Sequence, residues 1–310
     1  MIKKPTMSAN SRLGSGIAQM FFSTFSFQMA NVFVKHLGAM PVMEIVLFRS
    51  LVAGIVCWIG LRSAGVSVFG HNRKFLVYRG IVGTLALVFF FLTLQNIPFA
   101  SATTIQYLSP IFTAAIGVFF LRESVRPIQW LFYLIAFSGV LIMKNFDPRI
   151  SLGFLFLGIL SALGSGIAYN LVRHLKESEH PLVVILYFQV IGVLAGIPAS
   201  FLDWRTPSGS EWFYLILIGG FSYLGQHFLT NAFNRERAAS VAIIIYSGLV
   251  YAITIGWFVY GEKQTLQTFL GMGMVVVGVI MSMLYGRRLA RQARLAAEDF
   301  PQSIEPEAQG

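Results

Sequence analysis

Two arginines stand where arginine is costly. Arg49 lies about eight residues into one long apolar run, and Arg79 near the start of the next. An arginine inside a bilayer costs at least ~2.5 kcal/mol by insertion scales, so it faces the protein interior and needs a partner. A guanidinium grips a carboxylate or phosphate through two parallel N–H donors. The two residues therefore suggest a clamp for an anionic or zwitterionic group. The structural alternatives are an ion pair between Arg49 and Glu44, for which five positions is poor same-face spacing on a helix, and an Arg79 that snorkels to the interface.

Other polar groups sit deep in apolar runs. Gln28, Gln106, Tyr107, Ser222, Tyr223, Gln226, Tyr246 and Ser247 could contact a ligand or simply pack. His227, beside Gln226 and four residues before Asn231, could relay a proton near neutral pH or bond a neighbouring helix. No Asp or Glu stands near the middle of a run, which weakens proton antiport and leaves exchange or facilitated diffusion open. Asn31 and Asn170 each precede a basic pair, Lys35-His36 and Arg173-His174. They read as matched outer and inner gates, or as ordinary packing with basic anchors. Gly158, Ala162, Gly166 and Asn170 form a four-residue stripe, and Gly192 with Gly196 a small-xxx-small contact. Glu123 and Glu262 fall at helix junctions, where a carboxylate caps free amides.

The sequence has no His/Cys metal cluster, no GxxxxGK[ST] phosphate loop and no GxSxG elbow. No cofactor or catalytic role is expected, and ATP is not the direct energy source.

The elements that carry these residues are set by composition. The chain has 310 residues, 56% hydrophobic and 12% charged, with mean hydropathy +0.70. That is about half the charge of an average soluble domain, so the bilayer is its solvent. Ten apolar stretches fit membrane spans, at about 13–34, 41–62, 74–95, 99–121, 126–143, 151–175, 181–202, 211–233, 237–259 and 265–286. The breaks are short, as at Asn96-Ile97-Pro98 and at Asn234 to Arg237.

Residues 80–139 also resemble residues 219–278 at a constant shift of 139. Gly80 falls on Gly219, Ser101 on Ser240, Tyr107 on Tyr246, Glu123 on Glu262 and Gly139 on Gly278. At a shift of 140, Arg49 falls on Gln189. Pro110 meets Leu249, so the fourth helix is expected to kink where the ninth does not. Sixteen Lys and Arg lie in one set of loops and five in the other. By the positive-inside bias both termini are cytoplasmic. The same clustering accounts for the net charge of +10 without nucleic acid. Five spans per half then make the two halves face opposite ways, an inverted repeat that favours transport by alternating access. The segments are a tail 1–12, repeats 13–143 and 151–286, and a basic then acidic tail 287–310.

Several short motifs carry a family likeness. They are Ile97-Pro98-Phe99-Ala100-Ser101-Ala102, Leu108-Ser109-Pro110-Ile111-Phe112, Leu121-Arg122-Glu123 and Gly139-Val140-Leu141-Ile142, with Ala238-Ala239-Ser240-Val241, Tyr260-Gly261-Glu262 and Gly278-Val279-Ile280 in the second half. Over about residues 14–285 the chain resembles the EamA-type transporters of the drug/metabolite transporter superfamily. Leu47-Phe48-Arg49-Ser50 and Tyr78-Arg79-Gly80 resemble the branch of S-adenosylmethionine and animal solute-carrier-35G-type carriers. The resemblance implies an all-α polytopic fold of ten helices, a central cavity between the halves, fifth and tenth helices at the back, and no cofactor. The expected role is a secondary transporter of a small polar metabolite, such as S-adenosylmethionine, an amino-acid-like compound or an organic anion, in the cell inner membrane, with a homodimer left open. A scaffold without flux, a scramblase or an intramembrane enzyme are the competing classes.

Overall fold

In the computed structural model, residues 9–121, 127–235 and 244–298 are described. Among them the chain is all-helical, with eleven helices. These are α1 (Ala9–His36), α2 (Val42–Ser63), α3 (Arg73–Asn96), α4 (Phe99–Gln106), α5 (Ser109–Leu121), α6 (Pro127–Phe146), α7 (Leu152–Leu175), α8 (Pro181–Ser200), α9 (Glu211–Arg235), α10 (Ser247–Tyr260) and α11 (Leu266–Glu298). Six of them, α2, α3, α6, α7, α8 and α11, have stretches long and apolar enough to cross a membrane.

The distribution of side chains is that of a bilayer protein. On α1, Phe21, Phe22 and Phe25 face outward, while Ser23, Thr24, Gln28 and Asn31 are buried. Helices in hydrocarbon gain nothing by hiding leucine from lipid, so close packing and hydrogen bonds hold them together.

The packing follows the repeat. α1 lies on α9 and α3 on α7, while α2 lies on α8, α6 on α11 and α4 on α10. Exchanging the halves by the shift of 139 turns α1–α9 into α7–α3, and turns α2–α8 and α6–α11 each into itself; the counterpart of α4 falls at 238–245, mostly outside the described residues. Glycines record this closely. A Cβ on Gly80 would strike Ile191, and one on Gly219 would strike Val52, and the shift carries the first pair onto the second. At the α6–α11 crossing, a Cβ on Gly139 would come 2.5 Å from the Gly271 carbonyl, and one on Gly278 would come 2.6 Å from the Phe132 carbonyl, again related by the shift. Ser23 Oγ donates to the Gly225 carbonyl and Ser161 Oγ to the Ala86 carbonyl, at 2.8 and 2.7 Å. The small residues of α7 behave as packing residues. Gly158 meets Ile105 and Thr93, and Gly166 meets Phe112. Gly192 and Gly196 likewise seat α8 on Ser50 and Leu47 of α2.

Three boundaries differ from expectation. The fourth span is two helices, broken at Tyr107, whose φ of −71° and ψ of 0° fall in the bridge region. The second half breaks as well: a single turn at Tyr246, φ −72° and ψ −12°, precedes α10. The break therefore does not depend on Pro110. The two tyrosine rings pack on each other at 5.2 Å, so each turn is wedged by the other. The third difference is α11, which runs to Glu298 instead of ending near 286. Its last stretch is rich in Ala, Arg and Leu, all strong helix formers. The expected break at 234–237 and the cap at Glu123 lie wholly or partly outside the described residues.

The exchange relation gives a paired prediction. Gly80→Val and Gly219→Val should each lower stability by about 1–3 kcal/mol through overpacking, and by similar amounts. Gly273→Ala, where no atom lies within 4 Å, should not. The midpoint of thermal unfolding in detergent micelles measures all three.

Candidate functional site

The site is built around one ring. Phe188, on α8, is buried between α2 and α3. Arg79 reaches it from α3 with Cζ 4.2 Å from the ring centre, and Arg49 from α2 at 5.2 Å. Both arginines are almost fully buried, 5% and 2% exposed. Arg49 donates through Nε to Ser222 Oγ (2.9 Å) and through Nη1 to Gln189 Oε1 (3.4 Å). Its carboxylate alternative is excluded, because Glu44 Oε1 instead accepts the Arg205 backbone N–H at 2.5 Å. Arg79 is less well provided: its Nε and Nη1 have no hydrogen-bond partner. A Cβ on Gly83 would lie 2.9 Å from that Nη1 and 3.3 Å from the Phe188 ring carbons. The missing side chain is what lets the guanidinium and the ring meet.

The repeat explains the arrangement. The shift of 139 carries Gly83 onto Ser222 and Phe188 onto Arg49. The Gly83–Phe188 contact and the Ser222–Arg49 bond are thus one interaction, written twice with different side chains. In packing, Arg49 corresponds to Phe188, and Gln189 is the next residue along.

Energetically the arrangement is incomplete. Each interior arginine costs about 2.5–3.5 kcal/mol on insertion scales. A cation–π contact returns about 2 kcal/mol when desolvated, and here two cations share one ring. An apolar-walled groove of about 290 Å³ lies between α2 and α8, lined by Gly54, Trp58, Val190 and Leu194 together with Ser50 and Gln189.

A second polar group lies at the broken helices. Tyr107 and Tyr246 pack there, and Gln28 Nε2 donates to the Gly248 carbonyl at 3.2 Å. The Tyr107 hydroxyl rests against Gly248. Tyr169, on α7, is within electrostatic reach of both Arg79 and Tyr107.

The remaining candidates fall elsewhere. Gln106 clamps α4 to α7, donating to Ser165 Oγ (2.8 Å) and accepting from Ser161 Oγ (2.9 Å). Asn170 Nδ2 donates to the Thr113 carbonyl at 2.9 Å, tying α7 to α5. Asn31 is buried on α1. Tyr223 and His227 stack on one face of α9 at 5.8 Å, and His227 Nε2 pairs with Asn231 at 2.9 Å. Tyr223 packs with the cluster of Cys57, Val183 and Val184, so it joins neither polar group. Gln226 is half-buried one position before His227.

One end of the molecule is tied shut. Glu262 Oε1 accepts the Phe99 N–H at 2.7 Å, capping α4 from the other half of the chain. Lys35 Nζ stands 3.7 Å from the same oxygen and donates to the Leu94 and Ile97 carbonyls. Tyr260 Oη donates to the Val32 carbonyl at 2.6 Å. At the opposite end the shift carries Lys35 to His174, which packs on Phe75 at 4.7 Å.

The model of the EamA-like transporter family matches residues 14–144 and again 152–284. The chain belongs to the EamA-like transporter family. Relatives of this EamA-like chain include a pseudopaline exporter of Pseudomonas aeruginosa, 32% identical over 86% of this chain and 95% of that protein. Mouse solute carrier family 35 member G1 is 28% identical over 85% of this chain and 77% of its own. An S-adenosylmethionine uptake transporter of Rickettsia felis is 25% identical over 89% and 94%. A solved crystal structure, 20% identical, superposes with a TM-score of 0.64 over 91% of this chain and 99% of its own, a likeness of fold alone. The EamA-like chain is a multi-pass membrane protein whose named relatives are transporters.

Phe188, Tyr169 and Gly83 were not singled out by the sequence. Only Gly83, one turn after Arg79 on α3, carries a signal: a small residue beside a buried cation.

The tied end is testable. Glu262→Ala leaves the Phe99 N–H without its acceptor and Lys35 without its counter-charge. An unmade buried bond costs about 1–3 kcal/mol, so the unfolding midpoint should fall. Glu262→Gln, which keeps an acceptor oxygen, should recover part of the loss.

Proposed function

We propose that this chain is a secondary transporter of a small polar metabolite, with ten spans in two inverted halves that exchange conformations about the Arg49–Phe188 contact. The observation that carries this reading is the exchange relation of the packing. Gly80 on Ile191 and Gly219 on Val52 are equivalent contacts, so each half presents the same surface to the other. A frame of that kind allows two arrangements related by a pseudo-two-fold rotation and with similar packing, which is what alternating access requires. The family and the named relatives support transport as the activity.

In this reading both termini are cytoplasmic and the membrane is the inner membrane, on the charge bias of the loops. The closed end at Lys35, Glu262 and Tyr260 is then the outer gate, with Asn31 one turn before Lys35. Asn170 and Arg173 belong to the inner gate. The substrate site takes in Arg49 and Arg79, with Gln28, Tyr107 and Tyr246 extending it toward the broken helices. The driving force is a gradient or an exchange, and no cofactor takes part. The bilayer and a small-molecule substrate are the partners, and a homodimer is compatible with the exposed apolar faces.

The test is flux. Purified protein in proteoliposomes should take up or exchange at least one of S-adenosylmethionine, an amino acid, a carboxylate or a nucleotide, above protein-free vesicles. Arg49→Gln should lower that rate by about tenfold or more, the equivalent of 1.4 kcal/mol. Folded wild-type protein without flux for any of them would count for a scaffold and against transport. Full activity in Arg49→Gln would remove Arg49 from the site.

A further inference from the structure

We propose that Arg79 and Arg49, gathered on Phe188, receive an acceptor-only oxyanion, so that the substrate is a metabolite of net negative charge. This rests on the transport reading and narrows it. The shared chemistry is a carboxylate or a phosphate group.

The first argument is the kind of atom left unpaired. Around Phe188 three buried nitrogens lack a hydrogen-bond partner: Arg79 Nε, Arg79 Nη1 and Gln189 Nε2. All three are donors. An ionised carboxylate or phosphate offers oxygens that only accept, whereas an ammonium or sulfonium group would meet more positive charge. The group at the broken helices is different in kind. There the unpaired atoms are hydroxyls and a carbonyl oxygen, Tyr107 Oη, Tyr246 Oη, Ser247 Oγ and Gln28 Oε1, which suit the neutral polar remainder of a molecule.

The second argument is charge. Carboxylate partners of basic groups are found at the ends of the helices, as in Lys35 with Glu262, His71 with Glu179, Arg149 with Asp147 and Arg205 with Glu211. Among the described residues, no carboxylate pairs with Arg49 or Arg79. Two cations within about 9 Å of each other, since both are measured to one ring, repel unless an anion separates them.

The third argument comes from the repeat. Both arginines belong to the first half. The second half answers with a ring, an amide and a hydroxyl, Phe188, Gln189 and Ser222. A purely structural ion pair would place its acid there. The halves instead hold a positive site with its counter-charge left to a diffusible partner.

The experiment is binding, independent of flux. Full-length protein in lipid nanodiscs is titrated calorimetrically with succinate, citrate, inorganic phosphate and adenosine monophosphate, and with lysine, choline and S-adenosylmethionine as non-anionic probes. At least one anion should bind, and more tightly than every non-anionic probe. The carboxylate and phosphate arms tell which oxyanion is preferred. Arg79→Gln should weaken that anion by about tenfold or more, and Gly273→Ala should not. Gly83→Ala keeps the charge but pushes the guanidinium off its seat, and should weaken it as well if Arg79→Gln fails to fold. Equal or tighter binding of the non-anionic probes, no anion bound by folded protein, or unchanged anion affinity in the folded variants would overturn the proposal. Anion binding without flux in proteoliposomes would sink transport and leave this site standing. Flux of a cation without anion binding would do the reverse.

Discussion

Close approach of backbones is the constraint on which the rest of this structure depends. In hydrocarbon, helices gain no hydrophobic advantage by associating, and only dense packing and hydrogen bonds hold them. The glycines at 80, 139, 219, 271 and 278 supply that density, each seated on backbone or side-chain atoms of a facing helix. Because most of them come in pairs related by the repeat, they fix the two halves in one symmetric relation. That relation brings position 49 of the first half and position 188 of the second to the same place.

The site arises where this symmetry is broken in side chains but kept in the backbone. Arg49 and Phe188 occupy corresponding positions, and so do Ser222 and Gly83. With arginine at one of these positions and phenylalanine at the other, the contact between the halves is a cation on a ring. The repeat provides a rigid seat that neither half could make alone, and the difference between halves provides the chemistry. The tyrosines show the opposite case. Tyr107 and Tyr246 remained identical, met each other, and became the wedge at two matching helix breaks.

Much of this was legible in the sequence because it rested on repetition and on out-of-place polarity. The duplicated glycines, the Tyr107/Tyr246 correspondence and the helix-packing role of the α7 stripe all follow from residue type and spacing, whereas Glu262 caps not the helix that follows it but α4, in the other half. Arg49 and Arg79 could be named because a buried cation in an apolar run needs an explanation. Phe188 could not, since a phenylalanine in such a run looks the same whether it faces lipid or a guanidinium. The same holds for Tyr169. Alignment at a shift of 140 pointed to Gln189, which does bond Arg49, but the packing register is 139. The turn at Tyr246 carries no proline to mark it in the sequence; the partner ring of Tyr107 packs there instead. Gln106 and Asn170 were legible as buried polar groups, yet a polar side chain that ties two helices together has the same sequence signature as one that holds a ligand.

That both arginines stand in the same half has a kinetic consequence. A carrier whose halves were chemically identical would have inward-facing and outward-facing forms of equal energy, and equal saturation behaviour on either face. Placing both positive charges in one half lifts that degeneracy. In a carrier working by the proposed alternating access, the two empty orientations would then differ in energy, and the half-saturation concentrations on the two faces would differ. Microscopic reversibility ties their ratio to the maximal rates in each direction, so the asymmetry sets how quickly each face is served while the gradient alone decides net movement.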